Sequence, residues 1–284
     1  MASVDRALET ASLPPPLDWR HTMSELDMRY ACGQDTRRMF GGGTIRNAGS
    51  VPGAWDVAPD LERILGEALF GTIWRRGGLS AVQREMITLS TLIVLAREPQ
   101  LRQHLGNALH IGLTPEQIVE LILHDTWYGG TPAGLNALAL CKAVFAERGI
   151  AFTPPRVHDT TEDPDRLFER GAQLRRQYLG DQSAARPAPP TEAERAFNRI
   201  TGVYYWGATW TRPGLDLPSR CLCTMTCLAA LGREGPLRSH IRGALHLGFT
   251  QEQVIEVFLH MTLYGGIAFA RGAIDIANGV FLNG

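Results

Sequence analysis

Lysine is nearly absent from this chain: Lys142 stands alone among 28 basic residues, and the rest are arginine. Schiff-base catalysis and a phosphate-loop lysine therefore have no candidate side chain, since Lys142 falls in the last helical stretch of the first half. No apolar run reaches the roughly 18–20 residues that span a bilayer. The opening residues, Met1-Ala2-Ser3-Val4-Asp5-Arg6, lack the basic start and apolar stretch of a signal peptide. Net charge is only −1, with both signs interspersed, which leaves no electrostatic footprint for nucleic acid or an anionic membrane. A cytoplasmic protein with neither kind of partner is expected.

Cysteine is scarce as well. Five thiols, an odd number with no matched spacing, argue against a disulfide framework. Cys221, Cys223 and Cys227 share one helical stretch, but the first half of the chain has Glu85, Ile87 and Thr91 at the matching positions. The cluster therefore reads as small residues of a buried helix rather than as a metal or redox group. Alternating strand patterns are missing too, and an all-α protein is expected.

What the chain does contain is a duplication. Residues 97–130 match 233–266 without a gap at an offset of 136, with 19 identities in 34 positions. The match includes His104/His240, His110/His246, His124/His260 and Tyr128-Gly129-Gly130/Tyr264-Gly265-Gly266. Duplication at this length means two copies of one small domain, not a solenoid. Earlier, Gly33, Arg37-Arg38 and Phe40 match Gly171, Arg175-Arg176 and Tyr178 at an offset of 138. The expected organisation is an arm over 1–20, carrying Pro14-Pro15-Pro16, a first repeat over 21–152 and a second over 163–284.

Apolar spacing of i, i+3, i+4 and i+7 (Leu101, Leu105, Ala108, Leu109) predicts about six helices per copy. Thr114-Pro115-Glu116-Gln117 and Thr250-Gln251-Glu252-Gln253 predict capped helix starts. Gly112 and Gly248 predict left-handed helix stops. Gly- and Pro-rich loops are expected at 41–54 and 180–190, followed by Trp-containing turns at Trp74 and Trp210.

Several segments carry a family resemblance. Trp210-Thr211-Arg212-Pro213-Gly214-Leu215-Asp216, Leu237-Arg238-Ser239-His240-Ile241-Arg242-Gly243-Ala244-Leu245 and Tyr264-Gly265-Gly266 resemble the carboxymuconolactone decarboxylase family. The resemblance covers nearly all of 166–282 and, more loosely, 28–146. It implies a small helical domain that assembles into dimers and hexamers. Two copies in one chain would then form an internal pseudo-dimer, and a homo-oligomer of three chains would restore the six-domain ring.

By that resemblance His104 and His240 occupy the family's active-site histidine position. A near-neutral imidazole suits the proton transfer that follows loss of CO2. In the related alkylhydroperoxidase D-like branch, a glutamate placed as Glu85 is here relays protons to the histidine and a CxxC pair. The two thiol positions hold Arg97 and Gln100 in one copy and Arg233 and Pro236 in the other, so peroxidase chemistry is rejected. The glutamate survives in repeat 1 only, because Cys221 replaces it in repeat 2. A second family glutamate, two residues before the tryptophan, is Thr72 and Ala208 here, which points away from the usual substrate.

Arg212, beside Trp210 and Pro213, is the candidate anchor for a substrate carboxylate, with Arg76 and Trp74 its counterparts. Arg84 and Arg220 read as structural ion pairs. Tyr128 and Tyr264 are expected to pack helix ends or to donate to substrate. The spacings among His104, His110 and His124 do not place three imidazoles on one helix face, so no metal site is expected. The expected function is a cofactor-independent decarboxylase or lyase acting on a small acidic or enolisable metabolite. The catalytic residues would be His104, Glu85 and His240. The alternatives are a natural-product cyclase, dehydratase or isomerase on the same fold, and a non-catalytic ligand-binding oligomer.

Overall fold

A computed structural model describes residues 23–40, 54–180 and 191–282. The expected arm over 1–20 and nearly all of the loops at 41–54 and 180–190 lie outside the described residues. Within them are thirteen α-helices and no strand. Repeat 1 runs through α1 (Glu25–Phe40), α2 (Ala54–Val57), α3 (Pro59–Leu65), α4 (Ala81–Val94), α5 (Glu98–Ile111), α6 (Pro115–Gly129) and α7 (Thr131–Glu147). Repeat 2 runs through α8 (Pro164–Leu179), α9 (Glu192–Ile200), α10 (Leu217–Ala230), α11 (Glu234–His246), α12 (Gln251–Met261) and α13 (Ile267–Leu282). No helix among the described residues is long and apolar enough to cross a membrane.

Local chemistry sets the helix ends. Ser80, Thr114, Thr191 and Thr250 each close a capping box with the Gln or Glu three residues on. Gly112 ends α5 at φ 115° and Gly248 follows α11 at φ 92°, backbone that a side chain would strain. The tryptophan turns hold an element that the periodicity does not announce. α3 continues into a π-helical turn, Gly66–Phe70, and α9 into a longer π-helical segment, Thr201–Thr209. α1 and α8 lie directly on these segments. A Cβ on Gly33 would stand 2.0 Å from the Gly66 carbonyl oxygen, and one on Gly171 2.6 Å from the Gly207 nitrogen. Glycine at both positions lets the backbones meet, and that contact fixes Trp74 and Trp210.

The core is shared by the two repeats. α4 is buried from Arg84 to Val94 and α10 from Arg220 to Ala230, and the two helices pack on each other. α6 of repeat 1 then packs on α10, while α12 of repeat 2 packs on α4. A single apolar cluster runs through both copies, from Met86 and Leu105 to Ile241 and Phe258. This reciprocal exchange is the internal pseudo-dimer, and it places side chains of each repeat in the site of the other.

Candidate active site

The first of two related sites is built on α4 and α5. Glu85 and His104 lie 19 residues apart and meet here, with the imidazole Nδ1–H donating to Glu85 Oε1 at 2.7 Å. Glu85 is fully buried and His104 is 3% exposed, so the solvated first-turn position that helical phase alone allows for Glu85 is not where it sits. No hydrogen bond to His104 Nε2 occurs among the described residues, and that nitrogen is not among the sealed polar atoms. The carboxylate therefore fixes the tautomer and leaves Nε2 for chemistry.

Repeat 2 supplies the opposite wall through α12 and the turn after it. The Tyr264 ring stands edge-on to His104 with centroids 5.3 Å apart. Its hydroxyl accepts a hydrogen bond from Trp74 Nε1 at 3.0 Å, and Thr88 is its other side-chain partner. Burial pushes the Tyr264 phenol far up, so it stays protonated. His260 lies 2.9 Å from Thr88 Oγ1, whose hydroxyl is already donated to the Arg84 carbonyl at 3.0 Å. His260 Nε2 therefore carries the hydrogen. Burial first, then the charge of Arg84, drives the His260 pKa well down and keeps the ring neutral.

The second site has the same plan and different contents. Cys221 takes the place of Glu85. The hydroxyl of Tyr178, where repeat 1 has Phe40, lies 2.7 Å from His240 Nδ1 and 3.2 Å from Cys221 Sγ. Trp206, which stands where repeat 1 has Phe70, lies tilted against Trp210 with centroids 4.7 Å apart and parallel to His240 at 6.4 Å. Tyr128 reaches in from repeat 1 and bonds Thr224 at 2.7 Å and Tyr205. Burial, helped by the charge of Arg175, lowers the His240 pKa to about 3. His240 is thus a neutral imidazole held by a phenol, without a carboxylate.

The arginines depart from the sequence-based expectation. Arg212 is not a free fork for substrate: its Nε and Nη2 hold Glu120 of the other repeat at 3.0 and 2.7 Å. Arg76 holds Glu256 in the same way, at 2.7 Å from Nε. Arg84 and Arg220, expected as structural pairs, bind the second oxygens of those carboxylates at 3.0 and 3.1 Å. Each glutamate thus closes an Arg–Glu–Arg clasp between the repeats. Tyr128 and Tyr264, expected either to pack helix ends or to donate to substrate, cross into the sites of the opposite repeats. Glu120/Glu256, Thr88/Thr224 and His124/His260 were legible as identities at the 136 offset, but only the cross-repeat packing shows what they contact.

Cys221, Cys223 and Cys227 are fully buried, and burial raises the Cys221 thiol to about 12 and holds the other two well above the ordinary thiol range. Thiolates are therefore disfavoured. Cys227 donates to Asp125 Oδ1 at 3.3 Å, and burial lifts the Asp125 carboxyl to about 7. Among the described residues no cluster of His, Cys, Asp or Glu has the arrangement to hold a metal. A groove of about 780 Å³ lies between the inter-repeat segment and α8, lined by His158, Glu162 and Arg166 among others and by neither His104 nor His240.

Two copies of one helical unit, exchanging helices so that each completes the histidine site of the other, define a tandem-duplicated all-α protein. The chain belongs to the carboxymuconolactone decarboxylase family, whose profile matches residues 59–143 and again 195–279. It is 32% identical over 118 residues to 4-carboxymuconolactone decarboxylase of Acinetobacter baylyi, covering 41% of this chain and 88% of that protein. It is 34% identical over 113 residues to nitrosuccinic acid decarboxylase of Metarhizium robertsii, covering 38% of this chain and 78% of that protein. An uncharacterised 15.0 kDa protein of Paracoccus denitrificans is 34% identical over 93 residues, covering 32% of this chain and 69% of its own length.

Proposed function

We propose that the chain is a carbon–carbon lyase that decarboxylates a small acid, with His104 as proton carrier and Glu85 as its positioning residue. The observation that carries this is the buried 2.7 Å bond from His104 Nδ1 to Glu85, which leaves Nε2 unengaged. In the proposed reaction the bond to the departing carboxylate breaks and CO2 leaves. The electron pair moves into an adjacent carbonyl, lactone or nitro group. The protonated imidazole then delivers its Nε2 proton to carbon and is reprotonated from solvent. Tyr264 would donate its hydroxyl to the oxygen on which charge develops, a preorganised donor in a site shielded from water. The chemistry is assigned to the first site because His240 has a phenol and a thiol where His104 has a carboxylate.

The two acids named by the curated relatives, 4-carboxymuconolactone and nitrosuccinic acid, are the first substrates to test. Turnover in D2O should release CO2 equal to product, with one deuterium on the carbon that carried the departing carboxylate. Product formed without CO2 would replace this reading with an isomerase or cyclase. We extend the proposal to assembly. The apolar positions Leu61 and Ile64 are exposed in repeat 1, and their equivalents Phe197 and Ile200 in repeat 2. A surface repeated in this way suits closed association of several chains, and a trimer would scatter light at about three times 31.2 kDa.

A further inference from the structure

The second site differs from the first by more than the loss of its carboxylate. Tyr178, Tyr205 and Trp206 stand where repeat 1 has Phe40, Leu69 and Phe70, and Trp127 matches Leu263, the neighbour of Tyr264. These four replacements bring indole and phenol rings to one place, and with Trp210 they form a continuous line. It starts at the surface, where Trp127 is 41% exposed and held by a bond from Nε1 to Thr209 Oγ1 at 2.9 Å. From Trp127 the centroids step 5.6 Å to Tyr205, 5.0 Å to Trp206, 4.7 Å to Trp210 and 5.0 Å to the fully buried Tyr178. Each step is an ordinary aromatic contact, so the rings touch from end to end.

Filling space does not account for this set, since phenylalanine would pack without the hydroxyls of Tyr178 and Tyr205. Indole and phenol rings lose one electron far more readily than phenylalanine. The electron vacancy then moves between touching rings, because tunnelling falls steeply with distance. An oxidised phenol is a strong acid, and the vacancy settles where a base takes that proton. Tyr205 bonds the Tyr128 hydroxyl, and Tyr128 bonds Thr224, so both face hydroxyl oxygens. Tyr178 instead lies 2.7 Å from the His240 imidazole Nδ1. Burial and the charge of Arg175 keep that ring neutral, and with a pKa of about 3 it is still a far stronger base than an oxidised phenol.

We propose that the second site is a one-electron redox site, in which a diffusible oxidant takes an electron at Trp127 and the vacancy comes to rest as a phenoxyl radical on Tyr178. The oxidant gains one electron, Tyr178 loses that electron together with its hydroxyl proton, and His240 Nδ1 receives the proton. The oxidants are of the peroxyl-radical class, which become hydroperoxides on gaining an electron and a solvent proton. Electron transfer at an exposed indole needs contact but no binding pocket. This role is independent of proton transfer at His104.

The test uses the full chain carrying Tyr204→Phe, which removes an exposed phenol. Photogenerated tris(bipyridine)ruthenium(III) serves as the oxidant, and freeze-quench electron paramagnetic resonance reads the radical. A persistent phenoxyl signal should form, narrow when the tyrosines are ring-deuterated, and appear more slowly in D2O. Tyr178→Phe should abolish the persistent signal and Trp127→Leu should remove most of its yield; each installs the residue of the other site, and thermal melts check that both fold. His240→Asn should shorten the lifetime of the radical. A water-soluble azo initiator, as a source of peroxyl radicals, should produce the same signal. A parent chain with no persistent phenoxyl signal overturns the proposal, as does a signal that Tyr178→Phe or Trp127→Leu leaves unchanged. A signal with ruthenium and none with the azo initiator overturns the assignment of the oxidant.

Discussion

Replacing one histidine at a time separates the two sites. Asparagine suits the purpose, because its side-chain N–H falls near the imidazole Nδ1 position while Nε2 is removed. His104→Asn should keep a donor for Glu85 Oε1 and so avoid an unpartnered buried carboxylate, a defect that costs about 3–5 kcal/mol when a buried pair is broken. What it removes is the proton carrier. General acid–base groups contribute about 10²–10⁴ in rate, or about 2.7–5.5 kcal/mol of barrier at about 1.36 kcal/mol per tenfold. His240 has no such contribution to lose. With its pKa lowered to about 3, only about one ring in 10⁴ carries a proton at pH 7. His240→Asn likewise keeps a polar group at the Nδ1 position for the Tyr178 hydroxyl and gives up mainly the ring contacts with Trp206 and Trp210. The expected result is a loss in kcat of at least about a hundredfold for His104→Asn and of less than about threefold for His240→Asn. Single-turnover kinetics read the chemical step, and thermal melts check that both variants fold. Equal small losses would place both imidazoles in the core as packing groups, and a larger loss at His240 would assign the chemistry to the wrong repeat.

Three further outcomes follow from the buried charges. Asp125 has its folded pKa raised to about 7, above its unfolded value of 3.8, so the native state holds a proton that the unfolded state releases. Its contribution is present at pH 4 and is lost as pH rises to 7. Asp125→Asn should therefore gain stability over wild type across that range, on the order of 4 kcal/mol, and urea unfolding that shows no pH-dependent difference would refute the assignment. Glu256→Ala leaves Arg84 buried without its carboxylate and should cost about 3–5 kcal/mol in urea unfolding; a loss below about 1 kcal/mol would mean that the clasp does not join the repeats. The cysteines of α10 should resist Ellman's reagent in the native protein, where Cys32 alone is neither buried nor fully exposed, and react fully in denaturant. Rapid native labelling of Cys221, Cys223 or Cys227 would contradict their burial.

Much of this architecture was readable from residue order because helix signals are local. Threonine caps, glycine stops and apolar stripes name their own helices, and comparison at the 136 offset picks out the residues common to both copies. Glu85 and His104 were within reach only through the family resemblance, in which a glutamate 19 residues before the histidine is its relay partner. The partners of Arg212, Arg76, Tyr128 and Tyr264 were not, since each contact joins residues more than 70 positions apart across the pseudo-two-fold. Arginine beside tryptophan and proline looks the same in sequence whether its fork is free or held by Glu120. The π-helical segments were hidden for another reason. They arise where α1 and α8 press on Gly66 and Gly207, and that packing demand leaves no periodic signature.

The exchange of α6 and α12 has a genetic consequence. In a symmetric dimer of single-domain chains, any mutation appears in both sites at once, so a site cannot be retired without losing its twin. Fusion removes that constraint. Cys221 could replace a glutamate, and Tyr178 and Trp206 could fill the space beside it, while Glu85 stayed in place. On the proposed assignment of the chemistry to the first site, the second half is still not free to drift, since Tyr264, His260 and Glu256 form the far wall of that site. Selection on one activity is thereby spread over both halves of the gene, and alleles damaged in opposite halves should fail to complement when they lie on separate full-length chains.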